Sequence, residues 1–97
     1  MTDTEKMKTA VLCLDKYMID QGKEEIDEIE ANRELERAGI LGDEIANPGR
    51  PLRKILTKLR DTNLLPHNVR QIYGSWKIKI STTITRHEII YQFWRKT

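Results

Sequence analysis

The side chains best placed for chemistry in this 97-residue chain are the cations of Gly49-Arg50-Pro51-Leu52-Arg53-Lys54-Ile55-Leu56-Thr57-Lys58-Leu59-Arg60, where no acid occurs until Asp61. Cations repeated along one short element suit a polyanionic partner, although a solvated face on an ordinary core helix has the same composition. The rest of the chain offers little for catalysis. Cys13 is the only cysteine and sits in an apolar helical stretch, so an inert buried thiol is expected, with no disulfide framework or thiolate zinc cluster. His67 lies in a loop without a partner ligand, and His87 and Glu88 are adjacent positions that a helix would point about 100° apart. The carboxylates of residues 24–36 have no paired His or Cys to complete a metal site, which makes them a solvated acidic face. There is no Ser/His/Asp order in a glycine context and no phosphate-binding glycine loop. Neither enzymatic activity, nor a cofactor, nor a metal is expected.

The cations must be positioned by a helix. Leu52, Ile55, Leu56 and Leu59 recur at i, i+3, i+4 and i+7, one apolar face of a 3.6-residue period, and Pro51 is pre-set for a first turn. The spacing predicts a helix over 51–62, stopped before Pro66. Upstream, a first helix is expected within 1–22, with Thr2 and Glu5 as a capping box and Gly22 as a left-handed stop. Met7, Ala10, Val11, Leu14, Tyr17 and Met18 form its apolar face, and Leu12 widens it. Residues 23–38 read as an acidic helix ending at Gly39, but Ile26 and Ile29 project away from Ala31, Leu35 and Ala38. Either a separate turn precedes the helix or both of its sides are covered. Residues 39–50 form a long turn-rich connection that Ile40, Leu41 and Ile45 would pin to the core, and Leu64 and Leu65 would fold back after the basic helix.

A β-hairpin is expected over 69–81. With Gly74-Ser75 as a II′ turn, Tyr73 opposes Trp76, Gln71 opposes Ile78 and Val69 opposes Ile80; Arg70, Ile72, Lys77 and Lys79 take the other face. Thr85 and Glu88 form a second capping box ahead of Ile89, Ile90, Phe93 and Trp94, which favours a C-terminal helix over 85–96, although its β-branched content would also suit a strand. The first helix or a second subunit would cover Phe93 and Trp94.

Charge is divided sharply along the chain. Residues 1–47 hold six Lys/Arg against thirteen Asp/Glu, and residues 48–97 hold eleven against two. The basic half argues for a polyanion, while the acidic half allows two copies to attract one another in a salt-sensitive way. No apolar run approaches ~18 residues, so no membrane partner is expected. The N-terminus has no signal-peptide pattern, which leaves the cytoplasm as the simplest compartment. Met1 and the compact layout suggest a complete small protein.

Helix, helix, long turn, basic helix and basic hairpin, in that order, resemble a winged helix-turn-helix domain over residues 4–81. The resemblance is carried by Arg50-Pro51-Leu52-Arg53-Lys54-Ile55-Leu56 and by Ile72-Tyr73-Gly74-Ser75-Trp76-Lys77-Ile78. It implies a mostly helical α+β fold, with a winged-helix-like three-helix core, a hairpin and an extra C-terminal helix. It implies double-stranded DNA as partner, with the basic helix in the major groove, where arginine pairs with guanine and threonine meets a thymine methyl. Arg50, Arg53, Lys54, Thr57, Lys58 and Arg60 would contact DNA from the helix, and Arg70, Lys77 and Lys79 would contact phosphates from the hairpin. A dimer, through the first and C-terminal helices, would supply the readers that one small domain lacks. Two departures, the long turn and the acidic second helix, keep open a second function: a protein-interaction module, such as a phage or mobile-element factor that docks on a host complex.

Overall fold

Local signals fix the first element. In the computed structural model, which describes residues 2–81, helix α1 spans Asp3–Gln21. The Thr2 hydroxyl accepts from the Glu5 N–H at 3.2 Å, and Gly22 closes the other end in the left-handed conformation. Met7, Ala10, Leu14 and Met18 are buried, and Val11 and Tyr17 pack against them.

The acidic segment is not one helix. Glu25–Asp27 is a short strand, β1, and helix α2 spans Glu28–Arg37. Strand β1 pairs with the third strand, so Ile26 is buried opposite Ile78. This resolves the two diverging apolar faces. Ile26 belongs to a sheet, whereas Ala31 and Leu35 form the buried stripe of α2 and Ile29 is 44% exposed. The change of element is marked by Asp27, whose carboxylate accepts from the Glu30 N–H at 2.8 Å and caps α2.

Helix α3 spans Arg50–Asp61, and Leu52, Leu56 and Leu59 are buried as their spacing predicts. The preceding Gly49 has φ +86°, and a Cβ there would lie 3.2 Å from the Ile29 backbone. Both its conformation and its contact with α2 call for glycine. No side chain of its own N-cap serves α3. Instead, fully buried Asn32 of α2 accepts from the Leu52 N–H at 2.9 Å and donates to the Gly42 carbonyl at 3.2 Å. One side chain thus satisfies an orphan donor of α3 and fixes the angle between the two helices. Of the residues expected to pin the long connection, Ile40 and Leu41 pack on the core, while Ile45 is fully exposed.

The hairpin joins β2, Val69–Ile72, to β3, Ser75–Lys79, and β1 completes an antiparallel sheet in the order β1-β3-β2. Its register differs from the expected one by two residues. Val69 faces Ile78, Gln71 faces Trp76 and Ile72 faces Ser75. The loop is therefore Tyr73-Gly74, both with positive φ (51° and 79°), as in a I′ rather than a II′ turn. A shift of two preserves the pleat, so Val69, Trp76, Ile78 and Ile80 are still buried. Tyr73 instead leaves the aromatic pair and stands fully exposed at the tip. The expected helix over 85–96 lies outside the described residues. No helix of the described part is long and apolar enough to cross a membrane.

Candidate functional site

Burying Leu52, Leu56 and Leu59 turns the opposite face of α3 to solvent. Arg50, Lys54 and Lys58 occupy successive turns of that face, with half-buried Thr57 beside them. These residues border an open groove of about 680 Å³ between α3 and the hairpin, whose far wall includes Gln71, Gly74 and Trp76.

Six of the nine expected contact residues lie on α3, but they fall into two groups. Arg50, Lys54, Thr57 and Lys58 present their side chains outward. Arg50 meets Glu44 at 3.6 Å and Lys58 meets Asp3 at 3.0 Å, with exposed or half-exposed side chains in both pairs. Lys54 has no carboxylate within 4 Å among the described residues. Arg53 and Arg60 are engaged by other parts of the chain, Arg53 half-buried on the groove and Arg60 at the exposed surface. The Arg53 guanidinium donates to Asn47 Oδ1 at 2.6 Å and to the Pro48 carbonyl at 3.2 Å, and it lies 3.7 Å from the Glu28 carboxylate. Arg60 donates to Gln71 Oε1 at 2.6 Å, and its guanidinium carbon lies 5.8 Å from the centre of the Trp76 ring. These two arginines tie α3 to the loop before it and to the hairpin beside it.

The remaining three residues lie elsewhere. Arg70, Lys77 and Lys79 are on the outer face of the sheet, away from the buried side of Trp76 and Ile78. There they are flanked by the acids of β1. Lys79 faces Glu25, Lys77 faces Asp27, and Arg70 reaches across to Glu25 at 3.7 Å. The sheet's outer face is therefore a mixed surface, and the basic wing expected from the hairpin sequence is flanked by the acids of β1.

Of the α2 carboxylates, Glu28 holds the site in place, and Glu30 and Glu34 serve the rest of the fold. Glu28 is buried, and its Oε2 accepts from the Trp76 backbone N–H at 3.1 Å while Oε1 faces Arg53. Glu30 accepts from the Tyr17 hydroxyl at 2.7 Å and from the Lys23 ammonium at 2.5 Å. The hydrogen bonds from Lys23 and then Tyr17 hold the Glu30 carboxyl below its ordinary range and push both partners up. Glu34 forms a two-pronged bridge with Arg37, which raises the guanidinium pKa further. Desolvation by burial, then the charge of Glu34, pushes the Cys13 thiol up, away from thiolate reactivity.

Several members of this site are not legible as such in the sequence. Asn47 lies in a turn whose only evident signal is Asn-Pro-Gly, yet it both holds Arg53 and lines the groove. Gln71 joins the groove because the hairpin register places it opposite Trp76, where it also donates to the Gly74 carbonyl at 3.3 Å. Compared with known proteins, the chain matches no family model, no curated sequence and no solved structure.

Proposed function

We propose that this chain is a DNA-binding protein of the winged-helix type, with α3 as the element that enters the major groove. One observation carries the reading: Arg50, Lys54, Thr57 and Lys58 share the solvent face of an otherwise buried helix, beside a groove walled by the hairpin. From Arg50 to Lys58 the helix rises about 12 Å, comparable with the width of the B-DNA major groove. The order α1-β1-α2-α3-β2-β3 supports the same reading. The pairs Arg50–Glu44 and Lys58–Asp3 do not oppose it, because exposed ion pairs contribute about 0–1 kcal/mol and exchange readily for phosphate. Arg53 and Arg60, by contrast, shape the interface by fixing the loop and hairpin.

The test is fluorescence anisotropy of a labelled mixed-sequence duplex across a salt series. Neutralising three to five phosphates gives a log–log slope of about −2.7 to −4.5, at about −0.9 per phosphate. No binding at low salt would overturn the proposal. A second reading, docking on another protein, is favoured by the outer sheet face, where Glu25 and Asp27 lie beside Arg70, Lys77 and Lys79. Such a mixed surface suits a protein partner better than a polyanion.

A further inference from the structure

One stripe of α1 is left without cover among the described residues. Thr4, Lys8, Val11 and Leu12 line an apolar groove of about 440 Å³ together with Leu64 and Pro66 of the loop after α3. Leu12 is 72% exposed, and Leu64 is 56% exposed where the sequence predicts that it folds back. Exposed leucines on two adjoining elements, walling one concavity, mark a surface built to be covered. At the helical spacing i, i+4, i+7, i+8 and i+11, the stripe continues from Thr4 to Asp15. Asp15 is also where the chain leaves the described fold. Its Oδ1 accepts from the Ser81 N–H at 2.8 Å, and its Oδ2 accepts from the Ser81 hydroxyl. Ile80 is buried one residue earlier, and its N–H donates to the Glu24 carbonyl. Ser81, the last described residue, is therefore held at the end of the groove's own stripe.

We propose that residues 85–96 of the same chain occupy this groove, running back along α1 with Ile89, Ile90, Phe93 and Trp94 against Val11, Leu12 and Leu64. Those four apolar residues fall at i, i+1, i+4 and i+5, on one side of a helix. The lengths agree. From Asp15 back to Thr4 is about 16 Å along α1, and a helix over 85–96 is about 18 Å long. A second copy could bring the same segment, but only by bimolecular association. The tether at Ser81 holds the chain's own segment at an effective concentration on the order of millimolar.

Fluorine NMR of the full chain with 5-fluorotryptophan tests this, because Trp76 and Trp94 are its only tryptophans. Trp94→Phe assigns the two resonances. The Trp94 signal is expected to be shielded from solvent, with a small H2O-to-D2O shift that is unchanged on dilution. Leu12→Asp is expected to expose it and to leave the Trp76 signal, a reporter of the intact core, in place. Leu64→Lys, on the other wall, is expected to do the same. A Trp94 signal already exposed in the unaltered chain, or indifferent to both substitutions, would overturn the proposal. Shielding lost on dilution, in step with dissociation in sedimentation velocity, would assign the groove to a second copy and overturn it as well.

Discussion

In α2 the polar groups turn inward: Glu28 bonds the Trp76 backbone, Asn32 bonds α3 and the long loop, and Glu30 gathers Tyr17 and Lys23. In α3 the cations divide by partner: half-buried Arg53 and exposed Arg60 bond the loop and the hairpin, while Arg50 and Lys58 meet only surface carboxylates and Lys54 meets none among the described residues. The two helices have opposite charge, but sign is not what separates their roles. A carboxylate accepts only, and a folded chain is rich in backbone N–H donors at helix starts and strand ends that need an acceptor. Acids beside a neighbouring element are therefore drawn into structure. Lysines, with strongly hydrated donors on flexible stems, remain in water and available to a ligand.

The largest effect that would test this contrast is expected at Asn32. Asn32→Ala leaves the Leu52 N–H and the Gly42 carbonyl without their partner, and should lower stability by about 2–4 kcal/mol in urea denaturation. A loss near zero would mean that α2 does not set the position of α3. Next comes Glu28. Glu28→Ala should cost about 1–3 kcal/mol, and Glu28→Gln less, because the amide oxygen can still accept from the Trp76 N–H. Equal losses in the two variants would transfer the effect from that hydrogen bond to the charge facing Arg53.

On α3 the pattern should invert. Lys54→Ala and Lys58→Ala are expected to change stability by no more than about 0.5 kcal/mol. Each should weaken duplex binding at all sequences and make the salt slope shallower by about 1. Arg53→Ala should instead lower stability, since it releases Asn47 and Pro48 and leaves buried Glu28 facing no cation. If Lys54 and Lys58 proved as important to stability as Arg53, the division within α3 would fail.

The smallest effect concerns acid. Because the folded Glu30 carboxyl is held below its ordinary range, its contribution to stability is complete above the unfolded pKa of about 4.3. That contribution is lost as pH falls through the depressed folded value. Glu30→Gln should flatten this part of the stability profile and leave the neutral region's shape unchanged. A carboxyl titration of Glu30 by NMR at an ordinary midpoint would remove the effect.

The elements that rest on local chemistry were legible: the Thr2 and Gly22 ends of α1, the apolar stripe and Pro51 of α3, and the alternation that buries Val69, Trp76 and Ile78. Of the site, the sequence marked the outward row of Arg50, Lys54, Thr57 and Lys58, since a helix with one apolar face determines what the other presents. It could not separate that row from Arg53 and Arg60. Their partners Asn47 and Gln71 are held in reach by a loop and by a hairpin register. Nor did it show the exposed Leu64, whose position depends on where the loop after α3 turns.

Only tertiary structure decided three further points. Glu25–Asp27 is a strand because β3 offers it an edge, and backbone pairing with a distant segment overrides a local run of helix formers. The hairpin turned at Tyr73-Gly74, since hydrophobic alternation fixes which face a residue takes but is blind to a shift of two. The same β1 set Asp27 opposite Lys77 and Glu25 opposite Lys79 and changed a basic surface into a mixed one. Periodicity along a chain determines the faces of its elements, while the neighbours of those faces depend on hydrogen bonds and contacts that close only once the elements have met.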